Sequence, residues 1–384
     1  MNEKDVQKLL IEILFAVVNQ QESSPEIAKK VTPDIILPVC RLAKKHDLAH
    51  VVSKFIYQNQ IEIDSELKAR LTKEELTSVY RYERMKFTLD EICSAFDNAK
   101  IAYVPLKGSV LRPYYPYESM RTSCDIDILI HESDLKKAID RLEEKGYRCG
   151  ERTYHDVSLF SPSEIHLELH FSIQENMDAL DSVLKDAWNY VELAQGSRYN
   201  FTPEFFVFHM YSHMAYHFLS GGCGIRSLLD IWVVEQKMNT NYTVAEKLLK
   251  KAGIYTFASQ MSKIANECFT LNERDEFSDL VLKYIFSGGV YGNKQNHIAV
   301  KKSKKTSSIG YVLGRIFMPY KAMAMKYPVL RKCPILLPIF WVVRCFSVIF
   351  KGKSKEIKSE LLTVNKVSDD KITEISEICA KLKI

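Results

Sequence analysis

Residues 121–132 read RTSCDIDILIHE, and the two aspartates inside this apolar run decide how the chain is understood. Ile126, Ile128, Leu129 and Ile130 give the pattern of a β-strand. Successive side chains of a strand point to opposite faces. Asp125 and Asp127 therefore share one face, about 6.6 Å apart along the chain, while Ile126, Ile128 and Ile130 turn the other way toward a core. Neighbouring carboxylates repel, and they resist leaving water unless a cation lies between them. The stretch alone admits two readings: an exposed strand end with two solvated acids, or a divalent-metal site.

Working outward, IAYVPLKGSVL (101–111) reads as a strand, a tight glycine-containing turn and a helix. SDLKKAIDRLEEKGYRC (133–149) is a helix, with Ser133 as its N-cap and Gly146 ending it. HDVSLFS (155–161) and EIHLELHFSI (164–173) are strands. Helical spacing occupies the chain before this unit, in DVQKLLIEILFAVV (5–18), PDIILPVCRLAKKHDLAHVVSKFIY (33–57) and KEELTSVYRYERMKFTLDEICSAFDNA (73–99). It returns after about Ile173, in PEFFVFHMYSHMAYHFL (203–219), SLLDIWVVEQKM (227–238) and TVAEKLLKKAG (243–253). The expected fold class is α+β: a small mixed sheet with helices, embedded between helical blocks. The expected organisation is a helical region over 1–98, an α/β core over 99–178, a helical domain over 179–298 and a basic tail over 299–384.

Three features of the α/β unit carry chemistry. In LKGS (106–109), Gly108 lets the backbone approach a ligand, and Lys107 and the Ser109 hydroxyl add donors at a helix start. The plain alternative is an ordinary βα turn. The second feature is the Asp125–Asp127 pair. The third is HLELH (166–170), where Leu167 and Leu169 face the core and Glu168 faces the other way. If this strand lies beside the aspartate strand, three carboxylates share one sheet face, and hard oxygen ligands select Mg²⁺ or Mn²⁺. His166, Glu168 and His170 also alternate on one face, which zinc or iron would accept; the nearby aspartates favour the hard metal.

The series YVPLKGSVL, MRTSCDIDILI, HDVSLF and HLELHFSI resembles the bacterial family of uncharacterised nucleotidyltransferases, within the DNA polymerase β-like nucleotidyltransferase superfamily. The resemblance continues through GGCGIRSLLDIWV and spans about residues 35–290. It implies a nucleotidyltransferase fold and transfer of a nucleoside monophosphate from a triphosphate such as ATP. The acceptor stays open: a small molecule, glycan, protein or RNA. Asp125, Asp127 and Glu168 would be the catalytic metal ligands, with Glu168 taking the acceptor proton. Lys107, Gly108 and Ser109 would hold the β- and γ-phosphates, with Arg121 and Ser123 near the phosphate charge. The loop RPYYPYES makes the Ser109–Asp125 interval longer than the superfamily's usual spacing. A degenerate, non-catalytic nucleotide-binding or scaffold module is the second reading.

Further candidates lie in the helical part. His209, His213 and His217 recur at i, i+4 and i+8 and form one helical face. The expectation is a polar stripe facing the α/β unit across a cleft. His213 and His170 are candidates for acceptor contact or for supporting the metal ligands. Arg226 and Asp230, also i and i+4, are expected to pair with each other and to hold the helical domain, or to touch acceptor.

Composition excludes some classes. Apolar residues make up 46% and charged residues 26%, ordinary for a globular protein. The nine cysteines form no C-x-x-C pair, so neither a zinc ribbon nor a disulfide framework is indicated. MNEKDVQKLL has acids where a secretion signal needs bases, so a cytoplasmic chain is expected. Residues 301–384 hold 18 Lys and Arg against 6 Asp and Glu, a net of +12, which leaves −7 for the first 300 residues of a chain at +5 overall. The stretch 301–355 has 13 basic residues and no acid. It contains CPILLPIFWVVRCFSVIFKGKSK (333–355), too short and too charged at Arg344 for a spanning helix. An interfacial helix on an anionic membrane surface, placing the protein at the inner face of the membrane, is the expected role of the tail; the alternative is a helix packed on the protein body, its basic ends meeting a nucleic acid or nothing.

Overall fold

The computed structural model describes residues 2–21, 24–175, 177–303, 317, 318, 320, 323, 324, 327, 329–350 and 367–384, with the side chains of 345–350 outside the description. Most of the Lys/Ser-rich linker (304–308) and the basic run after the apolar helix (351–355) therefore lie outside the described residues.

The centre is a mixed seven-stranded sheet in the order β3-β4-β5-β2-β1-β7-β6. The strands are β1 (Tyr103–Pro105), β2 (Asp125–Ile130), β3 (Arg148–Arg152), β4 (Asp156–Phe160), β5 (His166–His170), β6 (Val191–Gln195) and β7 (Arg198–Phe201). β2 runs parallel to β5 and antiparallel to β1. Ile126, Ile128 and Ile130 of β2, Val157 and Leu159 of β4, and Leu167 and Leu169 of β5 form one apolar face. That face packs on Met85, Ile92 and Phe96 of the long helix Ser65–Asn98 and on Leu135, Ala138 and Leu142 of the helix Leu135–Glu143. Full burial of each such side chain contributes roughly 1.5–3 kcal/mol. The opposite face carries the acids.

The period-2 reading of β2, β4 and β5 matches the structure. Several local expectations do not. No strand signal follows the helix that Gly146 ends, yet Arg148–Arg152 forms β3, exposed along its whole length. Helices were expected throughout after Ile173, but the β6–β7 hairpin intervenes and β7 joins β1 in parallel. β3 and β6 are the two exposed edges of the sheet, and β7, between β1 and β6, alternates only Tyr199 and Phe201 with Arg198 and Asn200, too short a run to mark a strand. Ser133 is not the N-cap: it sits inside a 3₁₀ turn, and Asp134 precedes the helix. Gly146 does end the helical segment, at φ 85°. The helix expected after LKGS is a single turn, Gly108–Leu111, followed by 3₁₀ turns at Arg112–Tyr114 and Glu118–Met120. Pro113 and Pro116 prevent a longer one, so a macrodipole aimed at a phosphate is not built there. The stretch 33–57 is two helices, Pro33–Lys45 and Ala49–Gln58, broken where Asp47 adopts φ 56°.

The candidate active-site cleft

The register of β2 and β5 places Asp127 directly opposite Glu168, and Asp125 opposite His166. The three carboxylates expected to cluster thus do so on adjacent parallel strands. The ligand atoms of Asp125, His166 and Glu168 lie within 4.8 Å of one another, as do those of Asp127, Glu168 and His170. His170 Nε2 is 3.2 Å from Asp127 Oδ1 and 3.3 Å from Glu168 Oε2. β4 adds to the same face: Ser158 Oγ is 3.1 Å from His166 Nε2, and Asp156 stands opposite His170.

The acids feel one another. Burial, followed by the Asp127 and Glu168 charges, raises the Asp125 carboxyl. Burial alone would also raise Asp127, but the Lys107 charge and the His170 hydrogen bond outweigh it and hold Asp127 well below the usual range. Burial works against the His170 imidazolium, yet bonds to Asp127 and Glu168 push its pKa up to about 9. Three carboxylates and the His170 imidazolium thus share one sheet face, with the Lys107 charge acting on it. Its oxygen-rich donor set suits a hard divalent ion. His170 Nδ1 is buried with no partner among the described residues.

These residues form one side of a cleft of ≈ 420 Å³. Lys107 and Gly108 line it, delivered by the turn after β1. Lys107 adopts φ 34°, a left-handed conformation that costs a non-glycine residue on the order of 1–3 kcal/mol. Such strain is retained where the surroundings fix it. A Cβ on Gly108 would stand 3.3 Å from Ser123 Oγ, a tight contact that the Ser123 side chain would have to give way to. Ser109 is not among the cleft residues, and its N–H donates to the Leu106 carbonyl, so the structure does not bring it to the acids.

Arg121 and Ser123 line the cleft but are engaged by protein. The Arg121 guanidinium donates to both carboxylate oxygens of Asp230, at 2.6 and 2.9 Å, and to the Thr122 carbonyl. It is 8% exposed and is neither solvated nor free. Ser123 Oγ accepts from Arg112. The expected Arg226–Asp230 pair is not formed. Asp230 takes Arg121 and the Tyr115 hydroxyl, and Arg226 instead contacts Asp47 Oδ2 at 3.2 Å and Thr122 Oγ1 at 3.0 Å. The kink at Asp47 is what turns its carboxylate toward this loop. Two crossed ion pairs therefore clamp residues 121–123, immediately before β2, against the helix Arg226–Lys237.

The far wall is the helix Pro203–Leu219, started by Thr202 capping the Phe205 N–H. His209, His213 and His217 all line the cleft from it. Burial keeps these imidazoles neutral, lowering His209 to about 3, His217 to about 4 and His213 well below its usual value. His213 Nδ1 is 3.1 Å from Glu175 Oε1. Burial raises the Glu175 carboxyl to about 7. Glu175, Asp47, Tyr115, Arg112 and His155 escaped the sequence reading. Glu175, five residues past His170, carried the one available signal: an acid directly following an acid-bearing strand.

Residues 37–270 match the model of a family described as uncharacterised nucleotidyltransferase. No curated protein and no solved structure matches the chain.

Proposed function

We infer the reaction from the premise that the chain belongs to the uncharacterised nucleotidyltransferase family, whose model covers more than half of it. The proposed activity is transfer of a nucleoside monophosphate from a nucleoside triphosphate to an acceptor hydroxyl, dependent on Mg²⁺ or Mn²⁺. One observation carries this reading: Asp127 faces Glu168 across parallel strands, with Asp125 two residues away, in a cleft that also holds Lys107. Asp125, Asp127 and Glu168 would hold the metal. When bound, a divalent cation offsets charge on the α-phosphate and on the departing pyrophosphate.

The chain's own groups divide the remaining work. Lys107 forms no close ion pair among the described residues, and its ammonium suits the β- and γ-phosphates. Gly108 keeps the turn narrow beside it. Arg121 and Arg226, held by Asp230 and Asp47, fix the loop that starts β2. On the far wall the lining residues of Pro203–Leu219 are Phe206, His209, Met210, His213, Met214, Tyr216 and His217, with no Lys or Arg. A wall without cations suits an uncharged hydroxyl better than a second phosphate. Glu168 is the base for the acceptor hydroxyl in this reading. Glu175 meets the His213 ring at Nδ1, which leaves Nε2 to accept a hydrogen bond from that hydroxyl and orient it.

A second reading, a nucleotide-binding module without turnover, draws on one observation: the His170 imidazole already lies between Asp127 and Glu168.

The test is incubation with each α-labelled nucleoside triphosphate and Mg²⁺ or Mn²⁺, with and without cell lysate, beside Asp125→Ala/Asp127→Ala. Label on a product, absent with the double variant, supports transfer and reports the base. Nucleotide-dependent thermal stabilisation without label or pyrophosphate moves the conclusion to the binding module. The absence of both label and nucleotide-dependent stabilisation overturns both readings.

A further inference from the structure

The described residues between 317 and 350 make a small unit of their own. Met323, Ala324 and Leu330 are buried at its centre, and Met318, Tyr327, Leu336, Leu337, Phe340 and Trp341 pack around them. Trp341 Nε1 donates to the Met318 carbonyl at 2.9 Å, and the Tyr320 hydroxyl to the Leu330 carbonyl at 2.9 Å. Tyr327 and Phe340 rings meet at 4.8 Å, and Phe317 and Trp341 rings at 5.1 Å. One side of the helix Leu337–Phe350 is thus committed inward, through Leu337, Phe340 and Trp341.

The other side is bare. Ile335, Ile339, Val342 and Val343 are 84, 58, 55 and 43% exposed. These positions fall on one stripe at helical spacing, so they form a continuous apolar face rather than scattered exposures. The segment 301–355 that contains it carries 13 basic residues and no acid, including the exposed Arg331 and Lys332 just before the helix. No described helix is long and apolar enough to cross a membrane.

An apolar stripe on a short helix within a purely cationic segment has one fitting partner. We propose that this unit seats on the surface of an anionic phospholipid bilayer. Ile335, Ile339, Val342 and Val343 enter the headgroup boundary, and the exposed Arg331 and Lys332 beside them lie against lipid phosphates. A nucleic acid would use the charge but not the stripe. A protein groove would use the stripe but has no need of a segment free of acids. The proposal stands independently of the transferase reading.

The test is flotation of the full-length chain with vesicles of phosphatidylcholine alone and of phosphatidylcholine with an equal share of phosphatidylglycerol. Co-flotation at least about tenfold greater with the anionic vesicles is expected. Ile339→Glu/Val342→Glu, at exposed positions, is expected to abolish flotation while leaving the melting temperature and circular dichroism unchanged. Flotation that survives this double variant means charge alone acts and overturns the seating of the stripe. Absence of flotation with either vesicle overturns the proposal, and salt-sensitive binding to poly(U) by both wild type and variant would then assign the segment to nucleic acid.

Discussion

Arg121 and Asp230 face each other in a buried, two-pronged ion pair, Nε to Oδ1 at 2.6 Å and the second nitrogen to Oδ2 at 2.9 Å, with side chains 9 and 10% exposed. The contact joins the loop that starts the aspartate strand to a helix more than a hundred residues later. Removing one partner strands a charge. Asp230→Ala is expected to lose about 3–5 kcal/mol of stability, whereas Arg121→Met/Asp230→Leu recovers much of that loss. Urea unfolding of the three proteins measures it; an Asp230→Ala chain as stable as wild type would show that the pair is not formed.

The acid cluster sets stability against function. Burial and the neighbouring carboxylates raise Asp125, so its ionised form is held at a cost in the metal-free protein. Asp125→Asn is therefore expected to melt higher than wild type without metal, and to lose transfer by about 10²-fold or more. A variant that melts lower and still transfers label contradicts both halves.

Lys107 contributes charge where the phosphates are proposed to lie. Lys107→Met is expected to weaken Mg-nucleotide binding about tenfold or more, with a smaller effect on fold stability. Calorimetric titration with a non-hydrolysable triphosphate reads the affinity directly, and an unchanged Kd would remove Lys107 from the phosphate site.

Acid should unfold this protein early. His209 and His217 are lowered to about 3 and 4 and His213 well below its usual value, all by burial first, so the unfolded chain takes up protons before the native one. Their stabilising contribution is present above pH about 6.5 and is lost as pH falls toward 4. Glu175, raised to about 7, has the opposite sign: it favours the native state below about 4.5 and loses that contribution as pH rises through 7. Glu175→Gln should thus be more stable than wild type at pH 8 and lose stability more steeply between pH 7 and 5. Denaturant midpoints across that range decide; parallel curves would mean Glu175 titrates normally.

What could be read from the sequence follows the range of the physics involved. The alternation of Asp125, Asp127 and the isoleucines is a property of one strand, so the acidic face was legible. The same holds for His209, His213 and His217 on one helical turn after another. Glu168 was legible as an acid on the face turned away from the core, but its pairing with Asp127 depends on sheet order. β3 and β6 were invisible because exposed edge strands need no apolar alternation, and β7 because its four residues are too few to carry a period. The pairing of Arg226 with Asp230 failed for a related reason. Local i, i+4 attraction amounts to a few tenths of a kcal/mol, and a buried guanidinium from elsewhere outcompetes it. The turn after β1 was shortened by its prolines, which a longer reading of RPYYPY would have caught.

The place of β7 in the sheet bears on how the chain acquires its shape. β1 finds its parallel neighbour through Tyr103 and Arg198, 95 residues further on. On the ribosome, β1 and β2 can pair while the hairpin that closes their outer edge has yet to be made. For that interval the nascent sheet has an open side, a template for unwanted strand addition. The chain pays for a late closing strand in folding speed, because long-range pairing must overcome loop closure first. Any attempt to express the α/β core as a piece ending near residue 178 would make that interval permanent.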